Sequence, residues 1–231
     1  MSYAELERFP NDHTGVRLSM ARQLDDVRSA QWSSNPESGA IVLFLHGFGS
    51  NEHDLSTLAE PLDLGLPWAS LRAPLELGHG GAAWFQITTP GAPDAAPVEL
   101  ATDMIWGWVE ANLDPDIKII PIGFSQGGLM ASQLLRTRPE RVVATTILGG
   151  FVLGADQPGD EILAEQRPGV FWGRGQQDQV IAPVAIDRTT QFLPQHSTLT
   201  ERTYPGLAHG INADELLDVR SHVTSQLTIG K

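Results

Sequence analysis

The chain has 231 residues, 41% of them hydrophobic and 19% charged, which suffices for one substantial core in a single domain over residues 1–231. Its formal net charge of −13, from 15 Lys and Arg against 28 Asp and Glu, repels phosphate backbones and anionic lipid, so nucleic-acid binding and stable membrane association are excluded as leading functions. Cysteine is absent, which excludes a disulfide framework, a thiol nucleophile and a zinc–thiolate site.

Residues 1–8 lack the basic and apolar regions of a secretion signal, and the longest apolar stretch, residues 40–45, is far too short to span a bilayer, so a cytoplasmic protein is expected. Val16, Leu18 and Met20 alternate with polar residues, the pattern of one or two antiparallel edge strands. Residues 41–45 form a continuous apolar run ending in His46-Gly47, as in a strand buried on both faces. The runs 68–71, 117–122, 142–148 and 170–172 read the same way, while 199–204 alternates more and suits a strand nearer the edge.

Helical patterns fill the intervals. Over 98–113, Ala101, Ile105, Trp108 and Val109 fall near one face, as do Leu129, Leu134 and Leu135 in a helix that follows Ser125 and stops at Pro139. Pro183 suits the first turn of a helix through 186–193, and Asn212 caps a last helix running to about Gln226. Strands alternating with helices predict an α/β protein, with a mostly parallel central sheet and helices on both faces. The segment 74–97 is rich in Gly, Ala and Pro yet carries Trp84 and Phe85, which reads as a long functional loop with exposed aromatics.

Gly123-Phe124-Ser125-Gln126-Gly127 is a G-x-S-x-G sequence between a buried strand and a helix, the setting of a nucleophile elbow. A serine hydroxyl needs a base, and His209 lies between the last strand and the last helix, in the chain order serine, acid, histidine. Asp178 is the one carboxylate in the loop after 170–172; Asp156, Asp160 and Asp187 are rivals read as solvated surface residues. His46 supports its own loop, His53 and His79 border the site, and His13, His196 and His222 read as surface residues. The oxyanion donors expected are the backbone N–H groups of Gln126 and of Phe48, the latter flanked by Gly47 and Gly49.

Leu45-His46-Gly47-Phe48-Gly49-Ser50-Asn51-Glu52, Arg72-Ala73-Pro74, Ala83-Trp84-Phe85, Gly123 to Gly128, Gly175 to Ile181 and Gly206 to Gly210 together resemble the phospholipase/carboxylesterase family of α/β-hydrolases, which includes bacterial carboxylesterases and acyl-protein thioesterases. The resemblance runs from about residue 15 to the C-terminus and implies an α/β-hydrolase fold, hydrolysis of carboxylic esters, no cofactor, and a loop over the active site at 75–97 with Trp84 near the acyl group. Three departures bear on substrate range: Ala208-His209-Gly210 replaces Gly-His-Ser, Gly149-Gly150 replaces Ser-Gly, and Trp172-Gly173 replaces His-Gly.

The expected activity is a serine carboxylesterase acting on small-molecule esters with short to medium acyl chains, which Leu75, Trp84, Phe85, Phe151 and Ile181, together with Phe48, would bind. The alternatives are an acyl-protein thioesterase, a lysophospholipase-like enzyme, and a binding protein that keeps the fold without turnover. No metal-ligand motif such as His-Glu-x-x-His occurs, so no metal is expected, and a homodimer is one admissible assembly.

Overall fold

The computed structural model describes residues 17–18 and 24–229. A seven-stranded sheet forms the centre, built from β2 (Asp26–Arg28), β3 (Ala40–Leu45), β4 (Trp68–Leu71), β7 (Lys118–Phe124), β8 (Thr145–Leu148), β9 (Gly169–Gly175) and β10 (Thr198–Tyr204). Their order is β10-β9-β8-β7-β3-β4-β2, and every pairing is parallel except that of β2 with β4. Continuous apolar strands follow from this arrangement, because successive side chains enter two different cores. Ile41, Leu43, Leu45, Ile119 and Ile147 join one core, with α2 (Ala95–Asn112), α3 (Gln126–Thr137), α4 (Asp160–Gln166) and α5 (Pro183–His196). Val42, Phe44, Ile120, Ile122 and Leu148 join the other, with α1 (Ala59–Leu62) and α6 (Ala213–Ile229).

Two local signals act as expected. Pro183 opens α5, and Asn212 Oδ1 accepts the Glu215 N–H at 2.9 Å ahead of α6. Leu18 lies in β1 (Arg17–Leu18), antiparallel to a later strand, while Val16 and Met20 fall outside the described residues. No described helix is long and apolar enough to cross a membrane.

The segment 74–97 departs from expectation. It contains a hairpin of β5 (Leu75–Gly78) and β6 (Gly81–Ala83), which joins β1 in a separate three-stranded sheet, and its end already belongs to α2. Trp84 and Phe85 are buried in the core rather than exposed, Trp84 at 1% relative accessibility. The cause is the large apolar area of the two rings, which outweighs the loop-like composition around them. β2 had no periodic signature because Asp-Val-Arg is mostly polar; Arg28 instead pairs with Asp26 and lies over the Trp32 ring. β8 begins only at Thr145, and Val142 touches β7 through a single bridge to Ile119.

Candidate active site

β7 ends at Phe124 and α3 begins at Gln126, so Ser125 makes the whole turn between them. It does so with φ 54° and ψ −115°, a backbone conformation that costs an L-residue about 1–3 kcal/mol. The turn is tight enough to exclude side chains on both sides. A Cβ built on Gly123 would stand 2.0 Å from Gly127 O, and one on Gly127 would stand 1.8 Å from Leu45 O. The serine is pinned there: its N–H donates to Leu148 O at 2.8 Å, and its carbonyl accepts the N–H of Gly128 at 3.0 Å.

His209 lies in the loop between β10 and α6, and its Nε2 is 2.9 Å from Ser125 Oγ. Its Nδ1 is 2.7 Å from Asp178 Oδ2. An ionised carboxylate only accepts, so Nδ1 carries the proton and Nε2 faces the serine hydroxyl as an acceptor. The second oxygen, Asp178 Oδ1, accepts the N–H of Val180 at 2.8 Å and of Ile181 at 3.3 Å. The Asp178 side chain is only 4% exposed. Backbone bonds hold the two loops together, from Gln177 N–H to Leu207 O at 2.9 Å and from Gln176 N–H to Tyr204 O at 3.0 Å. Gly175 lets them approach, since a Cβ there would stand 2.2 Å from Leu207 O.

The loop after β3 is fixed as firmly. Gly49 N–H donates to Ala82 O at 2.9 Å and Ala82 N–H to Ser50 O at 2.7 Å, which adds the loop to β6. The buried His46 ring holds the chain from behind: Nε2 accepts the Ala73 N–H at 3.1 Å, so Nδ1 donates to Gly47 O at 2.7 Å. Burial holds the His46 imidazole below its ordinary pKa, in keeping with the neutral tautomer this geometry requires. Arg72, at the end of β4, grips Glu52 at 2.9 Å and Glu76 at 2.8 Å and so ties the loop to the hairpin. Between these supports, the N–H groups of Phe48 and Gln126 donate to no other group among the described residues.

Several placements differ from expectation. Asp156 and Asp187 are exposed as predicted, but Asp160 is not a solvated surface residue: it grips the buried Arg136 at 2.7 Å and accepts the Gln157 N–H at 2.8 Å. His222 is buried against Phe171 rather than at the surface, because α6 turns it toward the sheet. His196 is half-buried on the Phe192 ring, His53 and His79 are exposed, and His13 lies outside the described residues. Leu75, Trp84, Phe85 and Phe151 are buried and Ile181 is half-buried. Trp84 clamps the loop after β3, with its indole N–H donating to His46 O at 2.8 Å.

Sequence reasoning missed the Gln126 side chain. It accepts the Trp84 N–H at 2.8 Å and donates to Phe85 O at 2.7 Å, although only its backbone had been considered. A glutamine directly after Ser125, able both to donate and to accept, was the available signal. Also missed were the exposed apolar side chains of Ile87, Val180 and Val184, on loops or at the start of α5; Phe48, expected among the acyl-binding residues, is exposed on the loop after β3.

Comparison with known proteins agrees with this geometry. The family model described as Phospholipase/Carboxylesterase matches residues 30–227. A probable carboxylesterase of Oryza sativa subsp. japonica is 26% identical over 207 residues, covering 81% of this chain and 78% of that protein. An acyl-protein thioesterase 1 of Cryptococcus neoformans var. neoformans serotype D is 26% identical over 222 residues, covering 81% of this chain and 92% of its own. The crystal structure of the Bacillus cereus carboxylesterase has the same fold, with a TM-score of 0.70 at 20% identity over 88% of this chain and 94% of that one. With a family match across most of its length and this sheet beneath the elbow, the chain belongs to the phospholipase/carboxylesterase family of α/β-hydrolases.

Proposed function

We propose that this protein is a serine carboxylesterase in which Ser125 is the nucleophile, His209 the base and then the acid, and Asp178 the group that orients His209. The observation that carries the reading is the unbroken hydrogen-bonded line from Ser125 Oγ through both His209 nitrogens to Asp178. His209 Nε2 takes the serine proton as Oγ adds to the ester carbonyl, then returns it to the departing alkoxide as the C–O bond breaks. Water attacks the acyl-serine by the same route and releases the carboxylic acid and the free hydroxyl. The N–H groups of Phe48 and Gln126 take the charge on the tetrahedral oxygen, and the N-terminus of α3 adds its dipole.

Trp84 and Phe85 are locked into the core, which supports a pocket of limited depth. Each methylene buried in it contributes about 0.8 kcal/mol until the chain meets that wall. Small-molecule esters with short to medium acyl chains are the substrates this favours. The same atoms serve a thioester, a reading favoured by the relative named as an acyl-protein thioesterase. A fluorophosphonate should label Ser125 and abolish hydrolysis of p-nitrophenyl butyrate. Labelling at another serine, with activity kept in Ser125→Ala, would overturn the assignment.

A further inference from the structure

Two segments run outward from the reacting groups, and both end on one cation. The first begins where Gln126 Nε2 donates to Phe85 O at 2.7 Å and ends at Gly91, whose carbonyl accepts from Arg188 Nη2 at 2.8 Å. The second begins at Gly149, where a Cβ would stand 3.4 Å from His209 Cε1, and ends at Val152, whose carbonyl accepts from Arg188 Nε at 2.8 Å. Phe151 lies between, with its ring 5.7 Å from the guanidinium carbon. Arg188 itself comes from the second turn of α5, the helix that follows the Asp178 loop. The guanidinium thus lies beside two segments that also reach the Gln126 side chain and the His209 ring.

The cation lacks a counter-charge. Arg188 forms no ion pair among the described residues, its Nη1 donates to none of them, and burial together with the like charge of Arg136 holds its pKa below the ordinary arginine value. Among the arginines whose side chains are described, three have no carboxylate partner, and the other two lie at the far end of the sheet. Arg141 binds Ile117 O before β7, and Arg167 binds the carbonyls that close α5. A half-buried charge without an opposite partner is unfavourable. A carboxylate on the substrate would supply the partner by a charge-assisted hydrogen bond.

We infer that Arg188 is a specificity-determining residue, which receives the distal carboxylate of acyl groups derived from dicarboxylic acids, so that half-esters are preferred to neutral esters of equal length. The inference rests on the esterase reading above. Its test measures kcat/KM for the monomethyl esters of glutaric, adipic and suberic acids against the methyl esters of the monocarboxylic acids of matching length. The best half-ester should exceed its neutral partner by about tenfold or more, the effect of one charge-assisted hydrogen bond. Arg188→Met should collapse that ratio, and Arg188→Lys should keep part of it.

Added KCl should lower the half-ester rate selectively, because the attraction is coulombic. If Arg188→Met does not fold, inhibition by free adipate relative to hexanoate in the native enzyme reads the same preference. Neutral esters turning over faster than every half-ester, or Arg188→Met lowering both rates in parallel, would make Arg188 a loop tether and overturn the inference. Absence of turnover on every ester, half-esters included, would instead count against the esterase reading.

Discussion

The indole N–H of Trp84 donates to the carbonyl oxygen of His46 at 2.8 Å, and the two rings lie 5.5 Å apart. Trp84 therefore braces the strand end that carries the Phe48 N–H and does not hang over the substrate as a movable flap. Trp84→Phe leaves a buried carbonyl unsatisfied and should lower unfolding free energy by about 1–3 kcal/mol. It should reduce kcat more than it changes the preferred acyl length. Thermal melts and a chain-length series of p-nitrophenyl esters check both. A shift of the optimum to longer chains with unchanged stability would restore the flap.

Ser125 holds its position against backbone strain. Ser125→Gly removes the Cβ that makes φ 54° unfavourable, and Ser125→Ala keeps it. Both variants should lose activity by roughly 10⁶-fold in kcat. The glycine variant should also be more stable than the alanine variant by about 1 kcal/mol, read from urea midpoints. Equal midpoints would mean that the turn is unstrained.

Asp178 and Asp160 separate orientation from folding. Asp178→Asn cannot hold the required histidine tautomer and should cost about 10⁴-fold in kcat with little loss of stability. Asp160→Asn should do the reverse, because it weakens the bidentate grip on the buried Arg136 while touching nothing in the site. Asp156→Asn and Asp187→Asn should be near neutral in both measurements, since both side chains are exposed.

Glu215 is fully buried under β9, and neither carboxylate oxygen has a partner among the described residues. Burial, helped by Asp218, pushes its pKa up to about 7 from an ordinary 4.5. The folded state thus binds this proton more tightly than the unfolded state. The stability it contributes is full below pH 4.5 and is lost as pH rises through 7. Glu215→Gln removes that loss, so its stability relative to the native protein should grow between pH 5 and pH 8, on the order of 3 kcal/mol at most. His222, held down to about 4 by burial, acts with the opposite sign and loses stability as pH falls from 6.5. Comparing variant with parent at each pH isolates the glutamate.

Much of this arrangement is legible in residue order. Ser125 and its flanking glycines are readable because a one-residue turn between strand and helix restricts which residues can stand there. The strand at 68–71 is equally plain, a short apolar run between turn residues. Trp84 and Phe85 were misjudged because composition describes the chain around a residue and says nothing of what packs onto it from 42 residues away, as Gln126 does. Asp160 and His222 were misjudged for a related reason: a polar residue looks solvated until its helix is rotated against a sheet. Arg188 carries no local signal, since its meaning depends on two loops that only the fold brings to it.

At Gly127 and at Gly175, main chain rests on main chain with no side chain between. Substitution cannot adjust those two seams, because a Cβ at either one would occupy space already filled by a carbonyl. What can be rewritten lies outside them, at Phe48, Ile87, Val180 and Val184, whose side chains are exposed and belong to neither core. A library randomised at these four positions should keep most of its members folded and spread their substrate preferences widely. An equal library at 123, 127, 149 and 175 should yield few soluble members. The protein thus separates the part that can be varied from the part that must stay constant, a useful division for anyone redirecting it to a new ester.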